Sequence, residues 1–445
     1  EIAFVKGQQQ FRARLVGVKD AAARGARPLE LPNEAAATAI AQELEAARYA
    51  VERVQHKEVR RNPAPPFITS TLQQEAYRKL GFGGEHTMRL AQQLYEGIEI
   101  GDEGAVGLIT YMRTDSTRVA ASAVGETRDY IGQRFGPEYL PAKPHIFTRK
   151  VKGAQEAHEA IRPTRISREP DSLQPHLNRD QLRLYELIWK RMLASQMAPA
   201  RYQTASADIT ATDGQTYLLR ATGSVLVFPG FSVLYMEGKD DAEEEARAPL
   251  PPLKAGESLR QQGVFPEQHF TQPPPRYTEA TLIRALEERG IGRPSTYAPI
   301  VSTLRERAYV RRDSGRLVPQ EVGLMVADLL RDQFPDVVDL NFTAQMEERL
   351  DAIARGEAEW QPVISAFYAP FYESVKRALG VQETGEVCPD CGRPLTVKQG
   401  RYGPFVACSG YPECRYKPAI KAEAGQPQEV QETGEPCPEC GKPLV

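Results

Sequence analysis

Cysteine is missing from the first 387 residues of this 445-residue chain, and all six cysteines fall within the last 60. A disulfide framework for the bulk of the molecule is thereby excluded. No apolar run approaches the ~18 residues that span a membrane, and nothing at Glu1 has the form of a signal peptide, so a cytoplasmic protein without membrane contact is expected. Neither sign of charge is in excess: 56 Lys+Arg against 59 Asp+Glu leave a net charge of −3. Bulk charge therefore announces no nucleic-acid partner. Any such surface has to come from local patches, such as Arg60-Arg61, Arg149-Lys150 with Lys152, and Arg305, Arg307, Arg311 and Arg312. No phosphate-loop motif is present, so nothing points to a nucleotide cofactor. What is there is ordinary for globular protein, 41% hydrophobic and 26% charged, in a length that suits about three domains.

Along the chain, composition changes character several times. Residues 2–18 alternate as strands do, 33–50 read as an alanine-rich helix, and 49–59 read as a strand, until Pro63, Pro65 and Pro66 stop any regular element. Residues 66–97 predict two helices broken at Gly81 to Gly84, the first capped by Thr69, Ser70 or Thr71. Residues 124–135 predict a helix in spite of Gly125 and Gly132, and 180–197 a strongly amphipathic one. Thr-, Val- and aromatic-rich residues 202–235, with turns at Asp213-Gly214 and Pro229-Gly230, predict antiparallel strands, resumed over 258–270 after an acidic, proline-rich insert at 238–252. Two strand-rich blocks, 1–65 and 200–270, thus flank a helical block, 66–199, as when one domain is inserted in another. A further helical region, 271–380, contains a helix–hairpin unit of winged-helix shape: a helix capped at Thr278, a second starting after Gly290, Gly292 and Pro294, and a hairpin turning at Asp313-Ser314-Gly315. Phe342, Met346, Leu350 and Ile353 fall at helical spacing and are expected to be core.

The densest chemistry lies at 107–120, GLITYMRTDSTRVA. A tyrosine hydroxyl becomes a nucleophile only when its proton is taken and its target is electrophilically prepared. Arg113, two residues after Tyr111, carries a planar fork of donors that suits a phosphate diester. Asp115 could order that arginine or receive a proton, and Thr114, Ser116 and Thr117 could hold phosphate oxygens. The plainer alternative makes Tyr111 a packing residue and Asp115 or Ser116 the N-cap of the helix that follows. Downstream, His158 and Arg162 in AQEAHEAIRPT stand at helical i, i+4 spacing, which would place imidazole and guanidinium on one face. A helix start surrounded by Arg293, Ser295 and Thr296 is a ready anion site.

In the tail, Cys388-x2-Cys391, sixteen residues, then Cys408-x5-Cys414 supply four thiolates in two close pairs, the requirement of a tetrahedral zinc site. Tyr402, Phe405 and Tyr411, with Lys398, Arg401, Arg415 and Lys417, form either a stacking platform for single strands or the small core of a zinc ribbon. VQETGEVCPDCGRPL recurs 49 residues later as VQETGEPCPECGKPL, with three substitutions. That repeat brings Cys437 and Cys440 as half of a second zinc site. The chain is accordingly expected to be an internal piece of a longer protein, with 386–420 a four-cysteine ribbon and 421–445 a linker and truncated second ribbon.

ITYMRTDS resembles the active-site motif of type IA DNA topoisomerases, AHEAIRP resembles the segment that lies beside that tyrosine, and GIGRPSTYA resembles a segment that contacts single-stranded DNA. The tract 66–83 and FTAQMEERLDAIARGE are similar to the family as well, so the resemblance covers nearly the whole chain. It implies a multidomain α+β fold: a β-rich arch interrupted by a helical domain carrying the tyrosine, then a helical, winged-helix-like DNA-binding domain and a C-terminal zinc ribbon. It implies that Tyr111 takes up a 5'-phosphate, that Arg113 neutralises the phosphate, and that His158 assists phosphate binding or proton movement. Asp115 and Arg162 are implied as further DNA contacts, beside Arg293, Ser295, Thr296 and Arg307. The activity implied is ATP-independent relaxation of negatively supercoiled DNA through transient cleavage of one strand, by a monomer associated with the nucleoid. Zn(2+) would sit in the ribbon, whose tail could alternatively engage RNA polymerase. Family members bind Mg(2+) on an acidic cluster in a preceding Toprim domain. No such cluster is found in this sequence, so the piece by itself is expected to bind single strands without relaxing DNA.

Overall fold

The computed structural model describes residues 1–19, 26–147, 158–238, 240, 248–378, 382–400 and 403–417. Arg149, Lys150, Lys152, Arg401, Tyr402, Cys437 and Cys440 lie outside the described residues. The chain forms two compact units, one of Glu1–Met325 with Thr343–Asp351, the other of Val326–Phe342 with Ala352–Val445.

The first unit begins with a hairpin, β1 (Ile2–Lys6) and β2 (Gln9–Lys19), followed by β3 (Ala26–Pro28). Asn33 caps α1 (Glu34–Ala46) by accepting from Ala36 N–H, and β4 (Arg48–Arg61) follows. Chain then leaves the sheet for the helical block and returns as β7 (Ala200–Asp213), β8 (Gln215–Phe228) and β9 (Ser258–Val264). The sheet order is β1-β9-β4-β7-β8-β2-β3, all antiparallel, and an additional β1–β2 pairing closes the circuit. Its core takes alternate residues of the strands. Ala207, Ile209 and Ala211 of β7 face Tyr217, Leu219 and Ala221 of β8, together with Phe4, Phe11 and Tyr49. Residues from before and after the helical block therefore share one core.

Between β4 and β7 stand α2 (Thr69–Leu80), α3 (Gly84–Glu96), the two-residue strands β5 (Ile98–Glu99) and β6 (Ala105–Val106), α4 (Ala121–Phe135), the single turn α5 (Pro170–Leu173) and α6 (Arg179–Gln196). Gly81 ends α2 in the left-handed region, φ 74°, and Asn178 with Gln181 forms a capping box at α6. Leu72, Ala76, Leu90, Leu94, Leu184, Ile188 and Met192 make the common core. Thr69, Ser70 or Thr71 was expected to cap α2. In the structure the N-cap is Ile68, and Thr71 Oγ1 accepts its N–H at 3.0 Å, while Thr69 is already inside the helix with its hydroxyl committed elsewhere.

α7 (Glu279–Glu288), capped by Thr278, and α8 (Tyr297–Glu306) precede the hairpin β10 (Val310–Asp313) and β11 (Arg316–Pro319), whose turn at Ser314-Gly315 has positive φ at both residues. These elements pack onto the helical block. Glu279 is buried and accepts from Gly84 N–H at 3.3 Å, and Tyr77 Oη donates to Gly315 C=O at 2.7 Å. The expected boundary at 271 thus coincides with no boundary between the compact units. α9 (Glu321–Gln333), α10 (Pro335–Val338), α11 (Leu340–Ala354) and α12 (Trp360–Ala378) follow. Within the second unit, the rings of Phe342, Phe367, Phe371 and Phe334 meet in succession, Phe367 and Phe371 stacked and the outer pairs tilted. Phe342, Met346, Leu350 and Ile353 were expected to be core, yet α11 has no buried residue and Leu350 is 45% exposed. Helical spacing marks an apolar face, not the partner that would cover it. The ribbon strands β12 (Gln382–Val387), β13 (Pro394–Gly400) and β14 (Gly403–Cys408) form an antiparallel sheet.

Candidate active site

Residues 107–120 form no helix and no continuous strand; their path is set from outside. Leu108, Ile109 and Met112 are buried in the helical core on either side of Tyr111 and so hold the half-buried tyrosine at its surface. On one flank an extended segment lies antiparallel to the loop, bridging Ile109 to Pro163. Thr110 N–H donates to Arg162 C=O at 2.9 Å, its Oγ1 donates to Ala160 C=O at 2.6 Å, and Thr164 N–H donates to Leu108 C=O at 2.9 Å. On the other flank Thr69 bonds the turn around Arg113. Thr114 Oγ1 accepts from Ser116 N–H at 3.0 Å, and Ser116 Oγ accepts from Arg118 N–H at 3.3 Å. Thr114 and Ser116 are buried and Thr117 Oγ1 donates to Phe147 C=O, so these hydroxyls shape the loop. They do not cap α4, whose N-cap is Ala120 without a side-chain bond. The expected capping role of Asp115 or Ser116 is therefore set aside.

The Tyr111 ring stands 5.4 Å from the His158 ring, and 5.4 Å from Tyr95, which meets it edge-on. Tyr95 was not singled out from sequence. It lies on α3, and only the fold brings it beside the loop. Arg113 is exposed and forms no ion pair among the described residues. His158 and Arg162 do not share a helix face: 158–164 is extended, because Phe67 and Ile109 recruit Ile161 and Pro163 as strand-like partners. The Arg162 guanidinium is turned back to Glu159 at 2.7 Å and to Pro163 C=O at 2.9 Å.

The second motif comes close to the first. Burial pushes the Tyr297 hydroxyl up to about 12, and the carboxylates of Glu287 and Asp115 add to the push, which places Asp115 of the tyrosine loop within electrostatic reach of α8. Arg293 donates to Asp351 at 2.6 Å and lies 3.8 Å from Glu347. Burial works against its charge, but the Asp351 hydrogen bond and both carboxylates outweigh that effect and raise its pKa. Thr296 Oγ1 accepts from Arg293 N–H at 2.8 Å, so it is spent on the turn, while Ser295 is exposed. Arg307 is also exposed but sits at the C-cap of α8, the opposite end of the helix from Arg293 and Ser295.

Residues 6–365 match the family model described as DNA topoisomerase. The chain belongs to the DNA topoisomerase family. Residues 385–423 match the topoisomerase DNA binding C4 zinc finger. Among solved structures, that of full-length topoisomerase I from Thermotoga maritima in a monoclinic crystal form is similar, with 34% sequence identity and a TM-score of 0.66 over 95% of this chain. The chain spans 66% of that relative's length.

The topoisomerase zinc finger is visible in the ribbon. The sulfurs of Cys388, Cys391, Cys408 and Cys414 all lie within 4.8 Å of one another, with Cys388–Cys414 at 3.6 Å and Cys391–Cys408 at 3.4 Å. Tetrahedral zinc with thiolates at about 2.3 Å requires sulfurs ~3.8 Å apart, so the set fits Zn(2+). Leu395, Val406 and Tyr416 pack against the cysteines as the ribbon's core. Tyr411 is 60% exposed with Lys398 beside its ring, and Lys417 lies beside Phe405. Of the two roles left open for the aromatic residues, the core one falls to Tyr416, which the sequence reading passed over. Among the described residues, the one group of three or more His, Cys, Asp or Glu side chains placed to hold a metal ion is that of the four cysteines.

Proposed function

We propose that Tyr111 is the nucleophile of a type IA DNA topoisomerase reaction. Its Oη attacks a backbone phosphorus of single-stranded DNA, giving up its proton as the P–O bond to tyrosine forms. The bond to the 3'-oxygen breaks, and that oxygen leaves as a protonated hydroxyl. A second strand passes through the gap; the 3'-hydroxyl then attacks the phosphotyrosine and restores the diester. No nucleotide is consumed, because the tyrosyl diester conserves the energy of the bond it replaces. The outcome is relaxation of negatively supercoiled DNA.

The observation that carries this reading is the placement of Tyr111. A loop held on both flanks presents its ring against His158, with an exposed guanidinium, free of ion pairs among the described residues, two residues on. Arg113 supplies charge where the phosphorane develops it, and His158 assists proton movement. Arg162 and Arg293 reach DNA by exchanging Glu159 and Asp351 for backbone phosphates, with Ser295 beside Arg293 and Arg307 farther along the strand. In the ribbon, Tyr411 and Phe405 with their lysines stack on unpaired bases.

The test is a denaturing gel of a labelled single-stranded oligonucleotide incubated with the full-length natural protein. A covalent adduct is expected, with loss of at least about 10⁴-fold in Tyr111→Phe. Adducts that persist in Tyr111→Phe would exclude the assignment. Binding without any adduct would reduce the protein to a single-strand binder.

A further inference from the structure

Thr69 is fully buried at the first residue of α2, where it has no capping task, since Thr71 performs it. Its Oγ1 donates to Met112 C=O at 2.7 Å and accepts from Thr114 N–H at 2.9 Å, and its own N–H donates to Thr114 C=O at 2.9 Å. The Met112 carbonyl belongs to the peptide group before Arg113 and the Thr114 N–H to the one after it. One hydroxyl thus grips both peptide groups between which Arg113 hangs. Met112 and Thr114 are 1% exposed while Arg113 points outward, so the backbone at 113 is fixed in the one orientation that buries its neighbours and presents its side chain. No ion pair among the described residues does that work for the guanidinium. Nor are hydroxyls at this helix start interchangeable: Ser70 Oγ, next in sequence and also buried, has no hydrogen-bond partner.

We propose that Thr69 is the positioning residue for Arg113, aiming its guanidinium at the phosphate that Tyr111 attacks. This rests on the reading of Tyr111 and Arg113 given above. A valine at 69 keeps the shape but leaves a carbonyl and an N–H unpaired in a buried place. The turn then relaxes, and a misplacement near 1 Å at a reacting centre costs on the order of 100-fold in rate.

The experiment measures adduct formation and single-strand affinity for the full-length natural protein and its variants. Thr69→Val is expected to cleave about 100-fold more slowly with affinity unchanged. Thr69→Ser should cleave nearly as the unmutated protein does, and Thr71→Val, which loses a cap but no bond to the loop, within about 2-fold of it. In an Arg113→Ala background, Thr69→Val should cost less than about 3-fold, because a residue acting through Arg113 has nothing left to position. If Thr69→Val does not fold, Thr69→Cys, with its weak donor, carries the same comparison at about a 10-fold loss. Cleavage unchanged in Thr69→Val overturns the inference, as does the same fold loss with and without Arg113, or loss of affinity in place of rate. Absence of adducts from the unmutated protein overturns the functional reading and this inference with it, a result distinct from all of these.

Discussion

Arg113 and Arg293 stand in the two most recognisable motifs of the chain, and they are held in opposite ways. Arg113 lies in a loop tied on one flank to Thr69, 43 positions from Met112, and on the other to residues 160–164, as far as the 57 positions from Gly107 to Thr164, and its own guanidinium is left in solvent. Arg293 lies in a turn bonded to itself, through Thr296 Oγ1 and the Arg293 carbonyl, and its guanidinium is tied to Asp351. In the first, the frame is long-range and the functional group free. In the second, the frame is local and the functional group engaged. A free charge on a rigid frame serves a transition state, because nothing must be broken before it acts. A charge already paired serves binding, since its gain is the difference between two partners.

The largest effect that would sharpen this contrast is on Arg113. Arg113→Ala is expected to slow cleavage by on the order of 10²–10³, while the melting midpoint shows a stability change under about 0.5 kcal/mol. A marked loss of stability would mean that Arg113 is part of the frame after all. Arg293→Ala should do the reverse. It leaves Asp351 and Glu347, both partly buried, without their cation, at about 1–3 kcal/mol of stability in denaturant titrations, together with weaker single-strand binding. Unchanged stability would show that the pairing is incidental.

Local framing can be probed at the neighbouring helix. Thr278 accepts from Thr281 N–H at 3.1 Å to cap α7, so Thr278→Ala is expected to cost about 1 kcal/mol, read by thermal melting. An effect of the same small size belongs to a long-range bond in the sheet. Asp208 on β7 joins Arg53 of β4 at 2.7 Å and Arg220 of β8 at 2.8 Å. Burial raises its pKa, but the two arginine hydrogen bonds outweigh that and hold it below the ordinary 3.8. A depressed folded value means the contribution is present above the unfolded pKa and lost as pH falls through the folded one. Asp208→Asn should therefore cost stability at pH 7, by about 1 kcal/mol because both arginines are half exposed, and the gap to the unmutated protein should close below about pH 4. A gap that persists into acid would assign the effect to packing.

Legibility followed the same division. The helices at 34–46 and 179–196 were readable from alanine richness and amphipathic spacing, though the first stops at Ala46 and not at 50, and the turn at Ser314-Gly315 was readable because its residues tolerate positive φ. The 158–164 segment was misread as helical: its spacing permits a helix, but Phe67 and Ile109 supply strand-like partners that no local pattern reveals. Thr69 looked like a cap for the same reason. The hydroxyl suits either task, and Met112 and Thr114 claim it. The apolar face of α11 showed that periodicity says which side is apolar and not whether anything covers it.

By itself the sequence determined the identities that chemistry needs: a tyrosine, an arginine two residues on, a histidine, and four cysteines at ribbon spacing, together with the family those motifs mark. It did so because covalent spacing within a few residues is fixed by the chain. Tertiary structure alone decided that His158 and Tyr95 flank Tyr111, that Thr69 grips the peptide groups around Arg113, and which arginines are free and which already paired. Those relations join residues tens of positions apart, and the buried core that brings them together is set by all of the packed elements at once.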